Sequence, residues 1–70
     1  MEARIIIYKD DFEIEVDYNK EFIDDLKRLV PSAARIWTTD RERWLVRKEF
    51  REAVKELLRD HFEDVSEVLA

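Results

Sequence analysis

Residues 34–51 read ARIWTTDRERWLVRKEFR, and this stretch predicts a β-hairpin that runs directly into a helix. Two runs rich in β-branched and aromatic residues, 34–38 and 43–47, flank the polar residues 39–42, which is the pattern of two strands and a turn. After the hairpin, apolar residues recur at helical spacing and predict a second helix over about residues 48–62. Its apolar stripe is Phe50, Val54, Leu57, Leu58 and His61.

The first half of the chain begins with another predicted hairpin. Residues 4–8 are mostly β-branched and apolar, and residues 12–16 alternate strictly between apolar and acidic side chains. Alternation places the two sets on opposite faces of a strand. The expected core residues are Phe12, Ile14 and Val16, and the residues expected in water are Glu13 and Glu15. Because the chain contains no glycine, aspartate and asparagine are the residues expected at left-handed turn positions.

The order strand, strand, helix therefore occurs twice. The helix of the first half carries apolar residues at helical spacing from Phe22 to Val30, and Pro31 ends it. These elements predict an α+β fold with two layers in the order ββαββα. An antiparallel four-stranded sheet is expected, with both helices on one face. Residues 1–62 form the single predicted domain, and residues 63–70 a C-terminal tail that docks onto it.

The composition excludes several kinds of site. The chain has 70 residues, of which 44% are charged, and it contains no cysteine, so disulfides and thiolate chemistry are excluded. No pattern indicates a metal site, a cofactor or a membrane span, and we expect an intracellular, cytoplasmic protein. The single histidine, His61, is expected to be half-buried in the apolar stripe. Neither Ser32 nor Ser66 belongs to a recognisable catalytic set, so the chain is not expected to be an enzyme.

One face of the predicted sheet has no helix to cover it. A four-residue turn in the second hairpin places Ile36 opposite Leu45, with both side chains on this open face. Ile6 and Tyr8 of the first strand are expected beside them. An apolar surface edged by arginines is typical of a contact site. The pattern therefore favours, as one hypothesis, a protein-interaction module or a homodimer that uses Ile6, Tyr8, Ile36 and Leu45.

The second hairpin also concentrates positive charge. Residues 35–51 hold six basic and three acidic side chains, a net charge of +3 in a chain whose total is −5. The two tryptophans, Trp37 and Trp44, are expected either to fill the core as a cross-strand pair or to offer a base-stacking surface, with Trp37 nearer the rim. The leading hypothesis is therefore a non-catalytic DNA-binding module, and the protein-interaction module is the alternative to it. The expected DNA-contact residues are Arg35, Trp37, Arg41, Arg43, Arg47 and Arg51.

Residues 31–62 resemble the HARP (HepA-related protein) domain. The resemblance lies in Pro31, Arg35, an aromatic residue followed seven positions later by tryptophan, and a helix that ends in Leu57-Leu58 and His61-Phe62. Two positions differ from the family pattern, because Ile36 separates Arg35 from Trp37 and Thr38 stands in place of an aspartate. HARP domains are accessory modules of annealing helicases and also occur in small phage and bacterial proteins. The resemblance implies a module for branched or single-stranded DNA.

The acidic first hairpin leaves a third hypothesis open. Carboxylates cluster there in a strip that could imitate the phosphates of DNA and block a nucleic-acid enzyme. The residues of this strip are Asp10, Asp11, Glu13, Glu15 and Asp17.

Overall fold

A computed structural model describes residues 2–70, which form five strands and two helices. The α+β class predicted from the sequence is confirmed. In chain order the elements are β1 (Glu2–Ile7), β2 (Asp11–Val16), α1 (Lys20–Leu29), β3 (Arg35–Thr38), β4 (Arg43–Arg47), α2 (Arg51–His61) and β5 (Asp64–Leu69), with 3₁₀ turns at Ser32–Ala34 and Lys48–Phe50.

The strands form one sheet in the order β3-β4-β2-β1-β5. The first four strands in this order pair antiparallel. The pairs β1–β2 and β3–β4 are the two predicted hairpins. The second hairpin has the predicted register, in which Trp37 lies opposite Trp44 and Ile36 opposite Leu45. The four-residue turn therefore fixes which side chains of β3 and β4 share a face.

The prediction of a four-stranded antiparallel sheet is wrong in one respect, because β5 adds a fifth strand parallel to β1. Most of the segment expected to be a docked tail, residues 63–70, is this strand. Its sequence lacks an apolar alternation, since Glu67 lies opposite Ile5 on the helix-covered side. Lys55 of α2 forms an ion pair with Glu67, which allows a carboxylate at that position.

The core lies between the helices and one face of the sheet. Phe12 and Ile14 of β2 are fully buried in one cluster with helix residues such as Phe22 and Leu58. Phe62, just after α2, is 4% exposed and packs edge-on against Phe22 with ring centroids 5.5 Å apart. This contact holds the end of α2 against the core, so that the chain re-enters the sheet as β5.

In the turn between β3 and β4, the left-handed position that glycine often takes is occupied by a glutamate. Glu42 has φ of 54°, and it is the one non-glycine residue with positive φ among residues 2–70. The expectation that aspartate or asparagine would take such positions is therefore wrong here. Glu42 directly precedes β4, so it makes the left-handed step that returns the chain to the sheet.

Candidate interaction surface on the open sheet face

One side chain from each of the five strands lies in a line across the open sheet face. The strand registers pair Ile36 with Leu45, Leu45 with Glu13, Glu13 with Ile6, and Ile6 with Val68. We call these five residues the transverse row. Four of them are apolar, and the only charged member is at the centre. The predicted neighbours Ile6, Ile36 and Leu45 thus lie together, and β5 adds Val68, which sequence reasoning did not include.

The two ends of the transverse row are the most accessible. Ile36 is 62% exposed and Val68 is 42% exposed, whereas Leu45 is half-buried. Ile6 is 8% exposed but does not belong to the core cluster under the helices. The open face therefore carries an apolar strip of its own, separate from the core.

Glu13 at the centre of the transverse row is buried, and the prediction that it lies in water is wrong. Only 1% of Glu13 is exposed. The hydroxyl of Tyr8 donates to Glu13 Oε1 at 2.6 Å, Arg43 Nη1 donates to the same oxygen at 3.2 Å, and Arg41 Nη1 donates to Oε2 at 3.1 Å. These three donors replace the water that the alternating pattern led us to expect.

The surroundings of Glu13 favour its ionised form. Burial alone would raise the pKa of Glu13, but hydrogen bonds from Tyr8, Arg41 and Arg43 outweigh burial and hold the pKa below its ordinary value. The hydrogen bond from Tyr8 to Glu13 raises the pKa of the Tyr8 hydroxyl. We infer that Glu13 is a negative charge that fixes the side chains around it.

Acid should weaken the native state through Glu13. Its folded pKa lies below the ordinary value of 4.5, so its stabilising contribution is present above that pH and is lost as the pH falls through the folded pKa. The variant Glu13→Gln should lack this contribution. Its free energy of unfolding, measured by urea denaturation at about pH 6 and about pH 3, should therefore change less than that of the wild type. An equal loss in both proteins would contradict the assignment.

A second line of side chains, the ionic row, runs beside the transverse row. Arg43 donates from Nε and Nη2 to Glu15 Oε2, at 3.0 and 2.8 Å. Arg4 Nη2 lies 2.7 Å from the other oxygen, Glu15 Oε1. Thr38 and Ser66 complete the ionic row, opposite Arg43 and Arg4 in the strand registers. Glu15 is thus partly exposed to water, as predicted, but its two carboxylate oxygens contact Arg43 and Arg4.

Two grooves open beside these rows, and Arg41 lines both. The smaller, of about 350 Å³, includes Tyr8, Glu13 and Leu45. The larger, of about 570 Å³, lies beside the ionic row and is rich in carboxylates; we call it the acidic groove. Its charged residues are Glu2, Glu15, Asp17, Glu42 and Asp64, against Arg4 and Arg41.

The residues predicted to bind DNA lie on different sides of the sheet. Arg43 and Arg47 share the open face with Leu45, whereas Trp37 lies opposite Trp44 on the helix-covered side. Trp37 is 46% exposed and Trp44 is 9% exposed, so Trp37 is nearer the rim, as predicted. Their rings meet edge-on with centroids 5.3 Å apart. The sheet therefore separates the exposed indole from the arginines of β4.

The arginines also differ in how far they are engaged within the protein. Arg41 and Arg43 form ion pairs with Glu13 and Glu15. Two carboxylates of the predicted acidic strip are therefore neutralised within the protein. Arg35 donates from Nε to the carbonyl oxygen of Val30 at 3.0 Å, and its guanidinium lies 5.7 Å from the centre of the Trp44 ring. The remaining two are less constrained. Arg51 lies 3.9 Å from the Glu52 carboxylate, and Arg47 forms no ion pair within residues 2–70.

His61 connects the two helices. Its Nε2 lies 2.9 Å from Asp25 Oδ2, and its ring packs edge-on against Phe22. It is half-buried, as predicted. Residues 2–70 bring together no group of three or more acidic or histidine side chains that could hold a metal ion. Neither helix in that range has the length and apolar character needed to cross a membrane.

Comparison of the chain with protein-family models, curated proteins and solved structures gives no match. The resemblance to the HARP domain therefore stays a prediction.

Sequence reasoning missed two parts of this surface, the buried state of Glu13 and the contribution of β5. Arg41 and Arg43 lie 28 and 30 residues after Glu13, so no local pattern links them to that carboxylate. The sequence does contain a relevant pattern, since arginines lie in the turn before β4 and at the start of β4, and β2 is acidic. This pattern predicts the ion pairs only when β2 and β4 are known to be neighbours.

Proposed function

We propose that the chain is a non-catalytic protein-interaction module and that its open face binds a basic amphipathic helix of a partner protein. The observation that carries this proposal is the transverse row, which crosses all five strands on the face without helices and has apolar side chains on four of them. An apolar strip with a polar border is typical of a contact surface.

The dimensions of the transverse row suit a helix laid across the strands. Neighbouring strands lie about 4.8 Å apart, so five strands span roughly 19 Å. A helix rises about 1.5 Å per residue, so roughly 13 residues cover that distance. The apolar stripe of such a helix would contact Ile36, Leu45 and Val68. The other sheet face already packs on helices through the same kind of contact.

The charge of the surface favours a basic partner. The acidic groove holds five carboxylates and two arginines, and the chain as a whole carries −5. Long-range attraction therefore steers positive segments towards this side of the protein. Glu13 contributes indirectly, because its three hydrogen bonds hold Tyr8, Arg41 and Arg43 in fixed positions around the transverse row.

A leucine–lysine amphipathic peptide of about 14 residues tests this proposal directly. We expect it to bind with a Kd in the micromolar range, and the leucine–glutamate counterpart to bind at least about tenfold more weakly. Leu45→Glu should also weaken binding of the lysine peptide about tenfold or more, because it places a charge in the transverse row. Isothermal titration calorimetry measures both effects.

Leu29→Glu is the matched control for Leu45→Glu. Leu29 is 39% exposed and ends α1, away from the open face, so this variant should bind the lysine peptide like the wild type. Equal binding by the Leu45 and Leu29 variants would reject the open face as the binding surface.

DNA binding is the second candidate, favoured by the 46% exposure of Trp37 and by the resemblance to the HARP domain. On this hypothesis Trp37 stacks on a base, while the less constrained Arg51, at the start of α2, contacts a phosphate. Fluorescence anisotropy with forked and single-stranded DNA at low salt should then show binding that salt weakens and that Trp37→Ala reduces. Absence of binding at tens of micromolar protein would reject this candidate.

A further inference from the structure

The exposed large apolar side chains of the sheet lie on its two edge strands. On β3, Ile36 is 62% and Trp37 is 46% exposed, and on β5, Val68 is 42% and Leu69 is 80% exposed. Neighbouring residues of a strand point to opposite faces, so each edge presents one apolar side chain on each face. A molecule on the open face would cover one member of each pair. A strand added at the edge would cover both.

The two edges differ in charge. β5 contains Asp64 and Glu67, and self-pairing of β5 would bring the acidic residues of two copies together. The sequence of β3, Arg-Ile-Trp-Thr, has no acidic residue and includes one arginine. In a chain with a net charge of −5, β3 is therefore the edge at which a second copy meets the least repulsion.

We propose that β3 pairs antiparallel with β3 of a second copy of this chain, which joins two five-stranded sheets into one continuous sheet. This surface is the edge of the sheet, so the proposal goes beyond the open-face function and does not depend on it. A two-fold axis perpendicular to the sheet generates the pairing and keeps the helices of both copies on the same side.

This symmetry limits the register to those in which one residue of β3 lies opposite itself, and we place Ile36 at that position. The axis keeps each face of one sheet continuous with the same face of the other sheet. In an antiparallel pair of this symmetry, one residue of β3 therefore lies directly opposite the same residue of the second copy. With Ile36 on the axis, the two Ile36 side chains meet on the open face. Arg35 of each copy then lies opposite Trp37 of the other on the helix-covered side. The Arg35 guanidinium already lies over one indole, 5.7 Å from the centre of the Trp44 ring, and the pairing brings it towards a second.

The pairing should be weak because β3 has four residues. Stable interfaces bury about 1,200 Å² or more, and an edge of this length offers less. We expect a dimer with a Kd of about 100 µM. Sedimentation of the wild type across that range should show the dimer. The tryptophan emission, to which Trp37 and Trp44 both contribute, should shift to shorter wavelength as the concentration rises and Trp37 becomes buried.

Two matched lysine variants locate the interface. Ile36→Lys should weaken association at least about tenfold, because a charge on an edge strand blocks pairing with another strand. Val68→Lys places the same charge on the other edge and should leave the dimer unchanged. Leu45→Glu should also leave the dimer unchanged, although it weakens peptide binding to the open face. Failure of one proposal is therefore distinguishable from failure of the other.

A cysteine variant gives a second test that does not depend on the lysine substitution. The chain contains no cysteine, so Ile36→Cys introduces a single thiol. Across the two-fold axis these thiols lie within disulfide distance, and mild oxidation should link the copies quickly. Val68→Cys is the control and should link slowly.

Three results would overturn the proposal. The first is a wild type that stays monomeric up to about 1 mM. The second is a dimer that Val68→Lys or Leu45→Glu disrupts while Ile36→Lys does not. The third is an equal rate of disulfide formation in the two cysteine variants.

Discussion

Replacing Arg41 and Arg43 together by alanine should lower the melting temperature by roughly 10–20 °C. The reason is Glu13, which is 1% exposed and accepts hydrogen bonds from both arginines. The double variant leaves its charge buried with Tyr8 as the remaining donor. A buried charge that has lost its partners costs far more than the intact pair contributes, because the cost of taking the carboxylate out of water is no longer offset.

Substitution of Glu13 itself should reverse this effect. Adding Glu13→Leu to the double arginine variant removes the unpaired charge and puts an apolar residue in the centre of the transverse row. We expect most of the lost melting temperature to return. Arg47→Ala is the control, because Arg47 is exposed and forms no ion pair within residues 2–70, and it should shift the melting temperature by no more than about 2–4 °C. A double arginine variant that melts like Arg47→Ala would show that Glu13 does not need its partners.

Ending the chain after Glu63 should unfold the protein. The truncation removes β5, whose pairing covers β1 along its length, together with the contact between Glu67 and Lys55. Ala3 and Ile5, which are 2% and 0% exposed, would then lie at the sheet edge. A domain of this size has a free energy of unfolding of about 5 kcal/mol, and we expect the truncation to remove most of it.

Circular dichroism and urea denaturation of the truncated chain measure this loss. A variant that ends after Val68 is the control, because it keeps most of β5 and removes Leu69, which is 80% exposed. That control should fold and unfold cooperatively. If the chain ending after Glu63 were as stable as the control, residues 64–68 would contribute nothing to the fold, and Val68 would not belong to the open face.

These two results also bear on function. The double arginine variant tests whether the centre of the open face is held by charge, and the truncation tests whether its outer end is part of the sheet. Ile36 and Leu45 depend on the charged centre of the open face and on β5 for a fixed surface around them. Peptide binding should therefore fail in both variants, even where some folded protein remains.

Local patterns were sufficient for most of the secondary structure. Strict alternation in residues 12–16 predicted β2 and its buried side chains Phe12 and Ile14, because a strand exposes its two faces in turn. Helical spacing and Pro31 predicted α1 and its end. The four-residue turn fixed the register of β3 and β4. Each of these features depends on residues close together in the chain.

The sequence by itself determined the α+β class, the two hairpins, the two helices and three of the four apolar residues of the transverse row, Ile6, Ile36 and Leu45. Only the tertiary structure decided that β5 joins the sheet and that Glu13 is buried, because both depend on partners far away in the chain. Val65 and Glu67 become strand residues because β1 and Lys55 lie beside them. Glu13 can be buried because β2 lies next to β4, which brings two guanidinium groups and a hydroxyl to one carboxylate.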